Sequence, residues 1–254
     1  MTGAAGRDLG IFMPAYQAAA HLPGTVGRIP EAVRARTLVL WIVDDGSRDG
    51  TSEAALALAG RFPALRVHRF PENLGYGAAV LEGIRRVAAE PVAFAVCLHA
   101  DGQYAPESIP DLVAALAGGL DLVQGSRHAS GTARAGGMPL YKRVAGRSLT
   151  ALHNAVFGLR MTDYHSGMLG YGRRALDSIP FGRLSGSFDF DLEAIACARA
   201  MGLAVGEVPI PTRYAGEVSH LNPWTYGLRC LRVTARYATG HYRRLARPPV
   251  TSRS

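Results

Sequence analysis

Three cysteines, no long apolar run and no basic leader narrow what this chain can be. Cys97, Cys197 and Cys230 are far apart, with no C-x-x-C pair, which excludes a zinc ribbon or a disulfide frame and leaves buried thiols in a reducing compartment. No window reaches the about 18 consecutive apolar residues of a membrane span, and no cationic segment followed by an apolar stretch opens the chain. The expectation is a cytoplasmic protein, soluble or peripheral on the cytoplasmic membrane face. There is no internal repeat and no low-complexity linker. Acidic residues also stop early: after Glu217 come seven arginines and no acid, whereas residues 1–217 hold 21 basic and 20 acidic side chains. The body is thus nearly neutral, which argues against nucleic acid as a partner. The basic tail has an anionic membrane, an acidic partner or solvent to meet.

At 254 residues and 48% hydrophobic content the chain can bury the core of one large α/β domain. Short apolar runs at Leu9–Met13, Leu38–Val43, Leu65–Val67, Val92–Leu98 and Leu120–Val123 fit strands, and Thr51–Arg61, Gly75–Ala88 and Pro106–Ala117 between them have helical period. Such alternation implies right-handed crossovers and a mainly parallel sheet. A Gly-rich loop, His128–Gly137, a helix from Pro139 to about Phe157, a strand Met168–Tyr171, a helix Phe188–Met201 and an extended edge segment Val205–Pro211 follow. We expect a Rossmann-like domain over 1–217 and a basic amphipathic helix and tail over 218–254. In that tail, positions 224, 228, 231, 235, 238, 242 and 245 form one apolar stripe of a continuous helix. It would dock on its own core, on an anionic membrane or on a second copy in a homodimer.

Two strand ends carry carboxylates, and ligands of open α/β sheets bind outside the carboxyl ends of strands. Asp44 and Asp45 stand before Gly46, suited either to a turn with a helix cap or to contact with a base or ribose. Asp101, in H-A-D-G-Q, suits a hard divalent cation that holds a diphosphate and takes one or two protein oxygens. Gln103 adds an amide oxygen or holds a metal-bound water. His99 has three readings: a metal ligand in place of a carboxylate, a hydrogen-bond partner of the diphosphate, or a satisfied core histidine.

Pro14-x-Tyr16 after the first strand, V-D-D-G-S-x-D-G-T at 43–51, N-x-G-Y-G at 73–77, H-A-D-G-Q at 99–103 and G-S-R at 125–127 together resemble inverting glycosyltransferases of family 2. The likeness runs over residues 9–215 and leans to the dolichol-phosphate and polyprenol-phosphate sugar synthases. It implies the nucleotide-sugar-binding A-type fold and a UDP or GDP sugar donor. Pro14, Tyr16, Asp44, Asp45, Gly75, Ala100 and Arg127 would contact that donor. Asp101, Gln103 and His99 would hold Mg²⁺ or Mn²⁺. Arg127 and Arg213 match arginines near the phosphates. Two departures stand out: His99 where relatives have an acid, and Ala18 where a Glu is common.

Inverting transfer needs aligned reactants and a stabilised leaving group, and the second role would fall to the metal at Asp101 and to Arg213. A phosphate acceptor is already ionised, whereas a hydroxyl needs a base, for which Asp163, His165, Asp189, Asp191 and Glu193 are candidates. Asp189 and Glu193 share a helix face and Asp191 points elsewhere, and none stands out as the base. Lys142, Arg143 and Arg147 could greet an anionic acceptor, and the Gly-rich loop could close over the donor. The leading expectation is metal-dependent sugar transfer to a lipid phosphate, and the second is transfer to a hydroxyl of a small molecule. A sugar-1-phosphate nucleotidyltransferase lacks support because Met13–Tyr16 provides no Gly-rich phosphate loop. A non-catalytic nucleotide-sugar-binding module is the remaining alternative.

Overall fold

The computed structural model describes residues 6–129, 140–211 and 223–245, with side chains of the last two segments described from 146 and 224 onward. Seven strands form one sheet in the order β3-β2-β1-β4-β6-β5-β7. They are β1 (Leu9–Ala15), β2 (Thr37–Asp44), β3 (Leu65–Arg69), β4 (Phe94–Cys97), β5 (Leu122–Ser126), β6 (Leu169–Gly172) and β7 (Val205–Pro209). All neighbours run parallel except β6, which is antiparallel to both β4 and β5. The proline-bearing β7 closes the sheet as an edge strand, where a missing ladder donor is tolerated.

Side chains alternate across β1, with Leu9, Ile11 and Met13 in one core and Phe12 in the other. The Met13 layer is covered by α1 (Leu22–Gly27), α2 (Glu31–Arg36), α3 (Thr51–Ala57) and α5 (Ile109–Ala117). The Phe12 layer is covered by α4 (Tyr76–Ala88), α6 (Leu140–Phe157), α7 (Arg173–Ser178), α8 (Phe190–Ala200), α9 (Pro223–Ala238) and α10 (His241–Leu245). At Gly83 a Cβ would lie 2.4 Å from the Phe12 ring, so the missing side chain lets α4 sit down on β1. The short α1 and α2 have no counterpart in the sequence expectations, because Pro23, Gly24 and Pro30 break the helical period there.

The sheet order places the functional crevice. From β1 the chain winds one way to β2 and β3, then returns to the other side of β1 as β4. The β1/β4 pair is therefore the topological switch point, where the loops leaving the two strands diverge and open a cleft. Pro14–Tyr16 ends β1 and His99–Asp101 follows β4. Asp44 and Asp45 sit at the end of β2, one strand further out.

Candidate active site

The 43–51 motif is mainly a device for holding loops. Asp44 is fully buried, its Oδ1 accepting from the Ser47 amide at 2.9 Å and its Oδ2 from the Ser52 hydroxyl. Both oxygens accept bonds inside the protein, so Asp44 caps its own turn, one of the two roles expected of it. Asp45 accepts from the Leu74 and Gly75 amides at 2.7 and 3.0 Å, tying the 73–75 loop to the end of β2. Gly46 has φ +68°, and a Cβ there would lie 2.4 Å from the Glu72 carbonyl carbon, so only glycine permits this approach. Ser47, Thr51 and Asp49 then accept hydrogen bonds from the amides of Gln17, Ala18 and Ala19 at 2.9–3.0 Å. These bonds hold Gln17 at φ 52°, a left-handed backbone that a non-glycine residue rarely adopts.

Between these loops and β4 lies a cavity of about 120 Å³ lined by Pro14, Tyr16, Gln17, Ala18, His21, His99, Ala100 and Asp101. Five expected donor or metal residues therefore meet in one place. Tyr16 is 47% exposed, free to lie against a planar ring. Asp101 accepts the Gln103 amide on Oδ1 at 2.9 Å, within a turn in which Gly102 has φ +76°, and no described residue bonds Oδ2. Among the described residues no three His, Cys, Asp or Glu side chains gather to cage a metal. One open carboxylate oxygen beside an imidazole fits a cation whose remaining ligands come from a diphosphate and water.

His99 is held from three sides. Tyr104 meets it edge-on with ring centroids 5.1 Å apart, Tyr76 lies tilted at 5.4 Å, and a Cβ on Gly167 would fall 2.1 Å from its Nε2. The Tyr104 hydroxyl accepts from the Gly167 amide at 3.0 Å, which pins that bare backbone against the ring. Burial lowers the His99 pKa, so the ring is neutral near pH 7. The Tyr76 hydroxyl lies 3.2 Å from His99 Nε2 and donates to Asp191 Oδ2 at 2.7 Å. Burial raises the Asp191 carboxyl to about 7 against the lowering effect of that bond, and no described residue bonds its Oδ1. Tyr76 had no assigned role in the sequence reading. Its place in N-x-G-Y-G, directly after the loop that Asp45 holds, was the available signal.

The profile described as Glycosyl transferase family 2 matches residues 10–179. The chain belongs to this family. Among its curated relatives, the polyprenol monophosphomannose synthase of Mycolicibacterium smegmatis is 32% identical over 204 residues, covering 79% of this chain and 75% of the relative. The undecaprenyl-phosphate mannosyltransferase of Micrococcus luteus is 30% identical, with 78% and 81% covered. The solved structure of glucosyl-3-phosphoglycerate synthase from Mycobacterium tuberculosis with phosphoglyceric acid superposes with TM-score 0.67 at 21% identity, covering 92% of this chain and 81% of that one. The likeness establishes the A-type glycosyltransferase fold, and the protein is a glycosyltransferase.

After the end of β5, and outside the residues that line the cavity, Arg127 grips Asp163 through two side-chain bonds of 2.7 and 3.0 Å. Burial would raise the Asp163 carboxyl, but the Arg127 guanidinium holds it down at about 2. His165 donates its amide to Asp163 Oδ1, and its Nδ1 lies 2.9 Å from the Tyr226 hydroxyl of α9. Burial depresses the His165 pKa to about 4, far below that of an efficient base at neutral pH. Asp189 precedes α8 and accepts from Ser185 Oγ and from Arg229 on α9 at 3.2 Å. Glu193, on the same face, accepts from Arg236 at 2.9 Å and from the Tyr242 hydroxyl at 2.7 Å. Asp189 and Glu193 thus fasten the C-terminal helices to α8, and Asp191 alone of the trio turns to Tyr76. Arg213, residues 130–137 of the Gly-rich loop and the side chains of Lys142 and Arg143 lie outside the described residues.

The C-terminal stripe needs correcting. Gly240, with φ +71°, separates α9 from α10, so the helix is not continuous. The docked face of α9 is Tyr226, Cys230, Val233 and Tyr237, whereas Trp224, Leu228 and Leu231 of the expected stripe are 84%, 69% and 46% exposed. Tyr226 docks from α9 because its hydroxyl finds His165, while Tyr242 and Leu245 of the expected stripe do pack on the core, from α10, with the Tyr242 hydroxyl on Glu193. No described helix is long and apolar enough to cross a membrane.

Proposed function

We propose that this chain is an inverting, metal-dependent glycosyltransferase that moves a sugar from a nucleoside diphosphate to a polyprenyl phosphate at a membrane surface. The observation that carries the acceptor is the exposed face of α9. Trp224, Leu228 and Leu231 project from the same helix whose Tyr226 reaches His165, and Arg232 flanks them on the helical wheel. An apolar ridge beside arginines suits the interface of an anionic bilayer, where a polyprenyl chain also resides. The relatives named for polyprenol and undecaprenyl phosphate agree with this reading.

In the cleft, Tyr16 and Pro14 pack on the nucleoside, and Asp45 acts through the Leu74–Gly75 backbone. Asp101, with His99 and Gln103, would hold a divalent cation, which neutralises charge on the departing diphosphate. Arg213 is assigned to the same charge, and Arg127 to positioning through Asp163. The phosphate acceptor is its own nucleophile, and the walls of the cleft align it opposite the leaving group.

The test is transfer from a panel of UDP and GDP sugars to polyprenyl phosphate in anionic vesicles. Replacing Trp224, Leu228 and Leu231 by serine should abolish vesicle binding and slow transfer at least tenfold, while donor protection against thermal unfolding persists. Unchanged transfer on vesicles would refute the lipid acceptor. Truncation at residue 223 is a poorer test, since it strips Arg236 and Tyr242 from the buried Glu193. Asp191, with its raised pKa and open Oδ1, supports a second reading in which it is the base for a hydroxyl acceptor. Asp191→Asn would then lower turnover by about 100-fold or more, whereas a phosphate acceptor tolerates it within a few-fold.

A further inference from the structure

A phenol has one proton and can donate it to only one neighbour. Tyr76 stands between two acceptors, Asp191 Oδ2 at 2.7 Å and His99 Nε2 at 3.2 Å. An ionised Asp191 takes the proton in the shorter, charge-assisted bond. The phenol oxygen is then left to accept, and only Nε2–H of His99 can supply that bond. Cys97 of β4, Tyr171 of β6 and Tyr226 of α9 also face Asp191, and burial keeps all three protonated, so Asp191 is the charged end of the chain. At pH 8.5, above the ordinary histidine range, the imidazole is neutral, and it cannot turn away from Tyr76, because Tyr104 confines it and the Gly167 backbone both confines and bonds it. Its other nitrogen, Nδ1, is bonded by no described side chain, and the ring lines the cavity beside Asp101.

We infer that Tyr76 and Asp191 are positioning residues that fix the His99 proton on Nε2 and so offer the Nδ1 lone pair to the ligand of the cavity. That lone pair can take the divalent cation or accept from water on it; a proton on Nδ1 would make the same atom a donor to the diphosphate. His99 thereby replaces a carboxylate without bringing charge. The use made of the lone pair rests on the donor-site reading above. The tautomer itself is a property of the free protein, so the two fail separately.

The experiment is ¹⁵N NMR of the full chain labelled at histidine, at pH 8.5, with His99→Gln identifying the ring signals. The wild type should show the Nε2–H form. Asp191→Leu leaves His99 Nε2 as the acceptor for Tyr76, and the proton should move to Nδ1. Asp191→Asn keeps an oxygen for Tyr76 and should restore the wild-type form, which guards against a mere folding defect. Tyr76→Phe should weaken the preference, since the Gly167 backbone still bonds the ring. Nδ1–H in the wild type, or one unchanged tautomer in both Asp191→Leu and Tyr76→Phe, would overturn the inference.

Discussion

Asp191→Asn should stabilise the folded chain, and more so as pH rises. The carboxyl is buried, with its folded pKa raised from 3.8 to about 7. A raised folded pKa means that the native state holds the proton more tightly than the unfolded chain does. Its contribution is intact below about 4 and is lost as pH climbs through about 7. At 1.36 kcal/mol per pKa unit, wild type carries a penalty of roughly 2 kcal/mol at pH 5 and roughly 4 kcal/mol at pH 8. Asparagine retains an acceptor for Tyr76 and cannot ionise, so it removes most of this. For a chain of this size the difference between the two pH values corresponds to a Tm gain about 5–10 °C larger at pH 8 than at pH 5. Thermal unfolding by circular dichroism, wild type against variant at both pH values, cancels every other titrating group to first order. An equal shift at both pH values, or a lower Tm for the variant at pH 8, would refute the claim that this carboxyl is forced to ionise in a buried place.

Arg127→Ala should cost about 3–5 kcal/mol in urea unfolding, because it strands the Asp163 carboxylate without its ion pair. In the wild type that pair's contribution is present above about pH 4 and fades as pH falls toward 2, since the folded pKa is depressed to about 2; an acid titration of stability followed by fluorescence checks it. Gly167→Ala should displace His99, whose Nε2 would lie 2.1 Å from the new Cβ. Destabilisation of about 1–3 kcal/mol is expected, with loss of metal-dependent donor protection in a thermal shift assay. Asp101→Ala should leave the Tm of the free protein within about 1 °C, as a partly exposed site away from the core does, yet abolish protection by a UDP or GDP sugar with Mn²⁺.

The strand-and-helix alternation was legible because apolar period and turn chemistry agree along most of the first 125 residues. His99 and Asp101 could be read from their strand end, since strand ends at a switch point converge whatever the loops do, whereas Pro14, Tyr16 and Ala100 came from the resemblance of their motifs. Asp44 kept two readings because a strand-end carboxylate that caps its own turn looks identical, in sequence, to one facing a ligand; its bonds to Ser47 and Ser52 show the capping role. The α9 face was misread because two apolar arcs share that helix. Choosing between them depends on distant partners, His165 for Tyr226 and Phe157 for Tyr237. Tyr76 escaped notice for the same reason, as Asp191 lies 115 residues further along the chain.

The three loops at the mouth of β1 and β2 do not vary independently. Gln17–Ala19 hang from Ser47, Asp49 and Thr51, while Leu74 and Gly75 hang from Asp45. Recombination with another member of the fold that exchanged the 43–52 loop would leave the other two with orphaned amides. A single point change in the cavity lined by Pro14, Tyr16 and Gln17 would meet a frame already fixed on both sides. Reshaping the cleft beside these loops therefore means moving residues 14–19, 43–52 and 72–77 as one cassette, the smallest piece that carries its own hydrogen bonds with it.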